Sequence, residues 1–75
     1  NVRVKDKEKV SSSSLLKEEV DKILEAWKRS VRVILRPSGT EPVMRVMVEG
    51  KDPMLVDSIG KRLVQVIKSV DEGDA

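Results

Sequence analysis

The chain has 75 residues, with 15 lysines and arginines against 13 aspartates and glutamates and a formal charge of +2 at neutral pH. Without cysteine it has no disulfide or thiolate metal site, and without histidine it lacks the usual general base near neutrality and the commonest zinc ligand. Charged residues make up 37% of the chain with the signs well mixed, and the single aromatic, Trp27, gives unpaired bases no stacking platform, which disfavours nucleic acid as a partner.

The opening Asn1-Val2-Arg3-Val4-Lys5 alternates apolar and charged residues and predicts a half-buried strand with Val2 and Val4 inward. It starts without an initiator methionine and with the alternation already under way, so the chain is expected to be an excised piece of something longer. Residues 6–9 form a charge run, read as a solvated exit from the strand. The serine run 11–14 reads as a loop leading into a helix, with a phosphosite or flexible linker as alternatives.

Residues 15–29 carry a helical stripe: Leu16, Val20, Ile23, Leu24 and Trp27 recur at three- and four-residue spacing. Ser14 is the expected N-cap, Glu18 and Glu19 suit the positive end of the dipole, and Lys28 and Arg29 suit the other. Trp27 is assigned to the core. Residues 31–36 and 43–49 are strands, with Val31, Val33, Leu35, Met44, Val46 and Val48 on their inward faces. The short Gly- and Pro-containing connection makes them an antiparallel hairpin.

Gly50 ends the hairpin. Asp52-Pro53 then starts a second helix, Asp as N-cap and Pro at the first helical position, running to about Val70 with Val56, Ile59, Leu63, Val66, Ile67 and Val70 buried. Gly60 inside it is expected to permit close approach to the sheet. Residues 71–75 form an acidic tail expected to fray. The order strand, helix, strand, strand, helix predicts a single two-layer α+β domain, with an antiparallel sheet and both helices on one face. No apolar run approaches the roughly 20 residues of a membrane span, and there is no signal peptide pattern.

The chemistry-bearing stretch is Arg36-Pro37-Ser38-Gly39-Thr40-Glu41-Pro42 in the hairpin loop. A guanidinium at a strand end can make two parallel hydrogen bonds to phosphate. Ser38 and Thr40 offer hydroxyls, and Gly39 lets an oxyanion approach the backbone N–H groups. Pro37 and Pro42 stiffen the loop. Arg45, on the returning strand, is either a second cation for the same anion or the partner of Glu41 or Glu49. Glu41 would repel a phosphate and is read as ordering the loop by accepting hydrogen bonds. Phosphate binding is the favoured reading, with a plain tight turn as the alternative.

The run from Val33 through Ser38-Gly39-Thr40-Glu41-Pro42 to Arg45-Val46-Met47-Val48-Glu49-Gly50, with the opening residues 1–7, resembles the C-terminal domain of the α-D-phosphohexomutases. The ending is most similar to the bacterial branch acting on glucosamine phosphate, with the mannose and glucose phosphate branches as alternatives. The resemblance implies a small α+β domain of TATA-binding-protein-like fold, the last of four in a cytoplasmic enzyme. Such an enzyme moves a phosphoryl group between the 6- and 1-positions of a sugar through a bisphosphate intermediate. Its phosphoserine and its Mg²⁺ are expected on other domains, so this chain holds no catalytic residue, no metal and no cofactor of its own and is expected to be inactive alone. The implied phosphate-binding residues are Arg36, Ser38, Gly39 and Thr40, with Arg45 added; Pro37, Glu41 and Pro42 order the loop. The implied partners are the sugar phosphate and the other domains. A non-enzymatic module binding anions or nucleic acid is the alternative of another class.

Overall fold

Alternation of aliphatic with charged residues produces the strands. In the computed structural model, which describes residues 1–27 and 29–73, β1 (Val2–Arg3), β2 (Val31–Pro37) and β3 (Val43–Gly50) form one antiparallel sheet in the order β1-β3-β2. The β2–β3 ladder runs from Val31 opposite Gly50 to Pro37 opposite Met44, and β1 adds Val2 opposite Met44 and Arg3 opposite Val43. Because side chains alternate across a sheet, this register puts Val2, Val31, Val33, Leu35, Met44, Val46 and Val48 on one face. That face joins the core, as the alternation predicts. Arg3, Arg32, Ile34, Arg36, Val43, Arg45, Met47 and Glu49 lie on the other.

Among the described residues three helices cover the apolar face: α1 (Lys7–Ser11), α2 (Ser14–Trp27) and α3 (Pro53–Asp71). Val10, Leu16, Ile23, Ile59, Leu63, Ile67 and Val70 from the helices share one cluster with the sheet valines and Met44. The architecture is therefore two-layer α+β. On α3 the expected stripe is the observed one, with Val56 and Val66 half-buried at its margins. Asp52 caps that helix by accepting hydrogen bonds from the N–H groups of Met54 (3.0 Å) and Leu55 (3.3 Å), with Pro53 in the first turn.

The first strand is shorter than expected, and the charge run after it is not a solvated exit. Asp6 caps α1 by accepting from Lys9 N–H at 3.1 Å, and Val10 is fully buried. A helix of five residues is not stable by propensity; one buried valine and a cap hold it against the core. The serine run is structured as well. Ser11 ends α1, Ser12 Oγ donates to the Glu8 carbonyl at 2.8 Å, and Ser14 is already inside α2. Ser13, not Ser14, accepts from Leu16 N–H through its Oγ at 3.3 Å.

With α2 starting at Ser14, Glu18 and Glu19 fall outside its first turn. Glu19 instead pairs with Arg62 of α3 at 3.1 Å. Arg29 lies beyond the helix end, and Lys28 lies outside the described residues, as do the last two residues of the expected tail. Trp27 corrects the core assignment: it is 45% exposed, because the stripe runs off the edge of the packed layer at the last residue of α2.

Two further expectations change. Gly60 is not a point of close approach, since a Cβ built there meets nothing within 4 Å. Gly50 is one: a Cβ there would lie 2.7 Å from the Ser30 carbonyl oxygen and 3.0 Å from Val56 Cγ2. The start of the tail is also anchored. The Asp71 carboxylate accepts from Lys5 N–H (2.8 Å) and Asp6 N–H (3.1 Å), and past the C-cap Glu72 the chain turns at Gly73, at φ +80°, a conformation suited to glycine. No described helix is long and apolar enough to cross a membrane.

Candidate anion-binding site

The hairpin loop sits where β2 and β3 run out, at the end of the sheet that also carries β1. Pro37 is the last residue of the ladder, opposite Met44. Just beyond it Ser38 N–H donates to the Val43 carbonyl at 2.8 Å, and Val43 N–H donates to the Glu41 carbonyl at 2.8 Å. Residues 39–42 thus bulge out beyond the Ser38–Val43 bond, and the Val43–Glu41 bond tightens the outgoing limb within that bulge. Val4 N–H donates to the Pro42 carbonyl at 3.0 Å and ties the outgoing limb to the first strand.

Ser38 is the one buried polar residue of the described chain, at 7% exposure. Its Oγ accepts from Thr40 N–H (3.4 Å) and Glu41 N–H (3.3 Å), a serine turn that folds the loop over its own side chain. The expectation for Ser38 was a hydroxyl facing the ligand. The geometry gives it an internal task as well, while its single O–H remains a donor. Gly39 and Thr40 at the tip are exposed, and a Cβ at Gly39 would meet nothing within 4 Å. Its φ is not positive, so neither packing nor backbone strain calls for glycine there. The space beside it is open to an approaching group.

Arg36 and Arg45 are direct cross-strand partners on the open face, both exposed. Among the described residues neither forms an ion pair, so the alternative partners of Arg45, Glu41 and Glu49, are not engaged. Like charges placed opposite each other in a sheet repel, by a few tenths to about 1 kcal/mol. An anion between them would reverse the sign of that interaction. Glu41 orders the loop through its main chain: its N–H donates to Ser38 Oγ and its carbonyl accepts from Val43, whereas its carboxylate makes no hydrogen bond among the described residues.

These features define a loop with two cations at its base, an open glycine at its tip and a buried serine within. The family model for the phosphoglucomutase/phosphomannomutase C-terminal domain matches residues 1–66. The chain belongs to that family. Among curated relatives, a phosphoglucosamine mutase of Oceanobacillus iheyensis is 47% identical over 91% of this chain, and one of Shouchella clausii 43% over 91%. A phosphoglucosamine mutase of Bacillus subtilis is 41% identical over 92%. The chain spans about 15% of the length of these relatives. No solved structure matches it significantly.

Within this family domain, the structure brings Arg36, Ser38, Gly39, Thr40 and Arg45 to one end of the sheet. It also adds a residue that sequence reasoning missed. Lys7 Nζ donates to the Ser38 carbonyl at 2.7 Å and to the Glu41 carbonyl at 3.2 Å. Nothing in the spacing of a surface charge run points to a loop more than thirty residues away. The only local signal was Asp6 as a helix cap, which starts α1 and so places Lys7 in its first turn.

Proposed function

We propose that this chain is the C-terminal domain of a phosphoglucosamine mutase and that its hairpin loop anchors the phosphate not being transferred. In this reading the parent enzyme interconverts glucosamine 6-phosphate and glucosamine 1-phosphate through a bisphosphate. The observation that carries it is the directly opposed Arg36 and Arg45, neither in an ion pair among the described residues, at the base of a loop whose glycine tip stands open. The identity to three phosphoglucosamine mutases favours that sugar over mannose or glucose phosphate.

Each side chain then has a task. The Arg36 guanidinium donates two parallel hydrogen bonds to phosphate oxygens, and Arg45 supplies a second positive charge. Gly39 N–H and the Thr40 hydroxyl donate from the tip, and Ser38 holds the loop in shape. None of these groups reads the sugar, so the anchor accepts the ligand in either of the two orientations a mutase must hold. Binding energy gathered at this remote phosphate positions the reacting end. The phosphoserine and Mg²⁺ belong, in this reading, to other domains of the parent enzyme. A cytoplasmic location is part of the same reading.

The test is Arg36→Ala in the full-length enzyme. Loss of a charge-assisted pair should lower catalytic efficiency roughly thirtyfold or more, about 2 kcal/mol. Near-normal efficiency would remove the assignment.

A further inference from the structure

Lys7 stands apart from the residues that define the site: it lies on α1, makes no ion pair among the described residues, and spends its charge on two main-chain carbonyls of the loop. We propose that Lys7 is the positioning residue of the anion-binding loop, holding the Ser38 and Glu41 carbonyls so that the Gly39 N–H is presented to the ligand. The inference rests on the phosphate-anchoring reading for the identity of that ligand.

The peptide plane supplies the geometry. No described peptide bond is cis, so the Ser38 carbonyl and the Gly39 N–H lie in one plane and point in opposite directions. With the carbonyl fixed on Lys7 Nζ at 2.7 Å, the N–H is turned away from α1. Among the described residues Gly39 N–H has no hydrogen-bond partner, while those of Ser38, Thr40 and Glu41 are occupied within the loop. It is therefore the main-chain donor left for an oxyanion, on the residue whose missing side chain leaves open space. Lys7 also bridges the two limbs of the bulge, drawing Ser38 and Glu41 toward a single ammonium group.

Lys7 is itself held. Lys5 and Asp6 donate their N–H groups to Asp71 at the end of α3, and Val4 N–H is bonded to Pro42. The segment carrying the lysine is thus clamped between the last turn of α3 and the base of the loop. A stiff support of this kind lowers the ordering cost when an anion binds.

The experiment compares full-length native enzyme, Lys7→Met and Lys7→Arg. Methionine keeps most of the aliphatic stem and removes the ammonium; arginine restores donors and charge. Hydrogen exchange of the peptide covering residues 38–43 is read without ligand, with inorganic phosphate affinity and the KM and kcat for glucosamine 6-phosphate beside it. Lys7→Met should exchange faster in that peptide, bind phosphate about tenfold more weakly, the scale of one charge-assisted hydrogen bond, and raise KM more than it lowers kcat. Lys7→Arg should recover most of the loss, and the melting temperature should stay near the native value.

Unchanged loop exchange in Lys7→Met overturns the proposal, because a lysine touching only the ligand would leave the free loop as it was. Faster exchange with native phosphate affinity overturns it too. So does a collapse of the melting temperature, which would make Lys7 a support of the fold. If the native enzyme does not bind phosphate through this loop, the phosphate-anchoring reading fails, and loop exchange still decides whether Lys7 holds the loop.

Discussion

Arg36 and Arg45 face each other directly across the β2–β3 ladder, on the sheet face that no described helix covers, and neither has a carboxylate partner among the described residues. Two guanidinium groups in this position repel each other in the ligand-free sheet, and in the proposed reading an anion between them would turn that repulsion into attraction. Arg45→Met should therefore stabilise the free domain slightly, by about 0.2–1 kcal/mol at low salt, the range of cross-strand pair effects. It should also remove most of the stabilisation that phosphate confers on the native protein by binding the folded state. Urea unfolding with and without phosphate measures both effects.

The two hairpin glycines should respond oppositely to alanine. At Gly50 the new methyl would stand 2.7 Å from the Ser30 carbonyl oxygen, a main-chain atom that cannot swing aside, so Gly50→Ala should destabilise by about 1–3 kcal/mol, as overpacking does. At Gly39 the methyl meets open space, so Gly39→Ala should fold normally. Its cost should appear in phosphate affinity, because the methyl occupies the ground beside the unpartnered N–H. Thermal unfolding and phosphate titration of the two variants separate these outcomes.

Gly60 is a third case. It lies inside α3 with no neighbour for a Cβ to strike, so it carries the helix-propensity penalty of glycine without a packing return. Gly60→Ala should stabilise by roughly 1 kcal/mol, and the melting temperature of a domain this small should rise by about 4–8 °C. A fall on calorimetry would show that the glycine serves a contact the free chain does not display.

Trp27→Ala should be milder than truncation of a core tryptophan. The side chain is 45% exposed, so the loss should be about 1–2 kcal/mol, below the 3–5 kcal/mol of a fully buried site. Denaturant titration gives the number.

Most of the sheet was legible because valine alternation fixes the faces: once Val31, Val33 and Leu35 face inward, Arg36 must face out, on the side Arg45 also takes, while the register that sets the two directly opposite is read only from the structure. The start of α3 was legible because Asp52-Pro53 is a local signal. What was hidden depended on contacts distant in sequence. Residues 6–9 look solvated because only Val10 is apolar, yet Asp71 receives the N–H groups before α1 and buried Val10 holds it down. Periodicity put Trp27 on the stripe but could not say where the packed layer ends. The loop's candidate donors are readable in its residue types. Its internal hydrogen bonds are not, because residue types alone give Ser38 only a donor's role and give Lys7 no link to a loop more than thirty residues away.

The central claim is that residues 36–45 grip phosphate, and the most direct measurement is a titration of this chain with inorganic phosphate followed through its backbone amide resonances. A phosphate grip by this loop should give saturable shifts concentrated at Gly39 and its neighbours in residues 38–41, largest at Gly39, and their loss in Arg36→Ala. Amide positions in that loop that stay unmoved at high phosphate would contradict it.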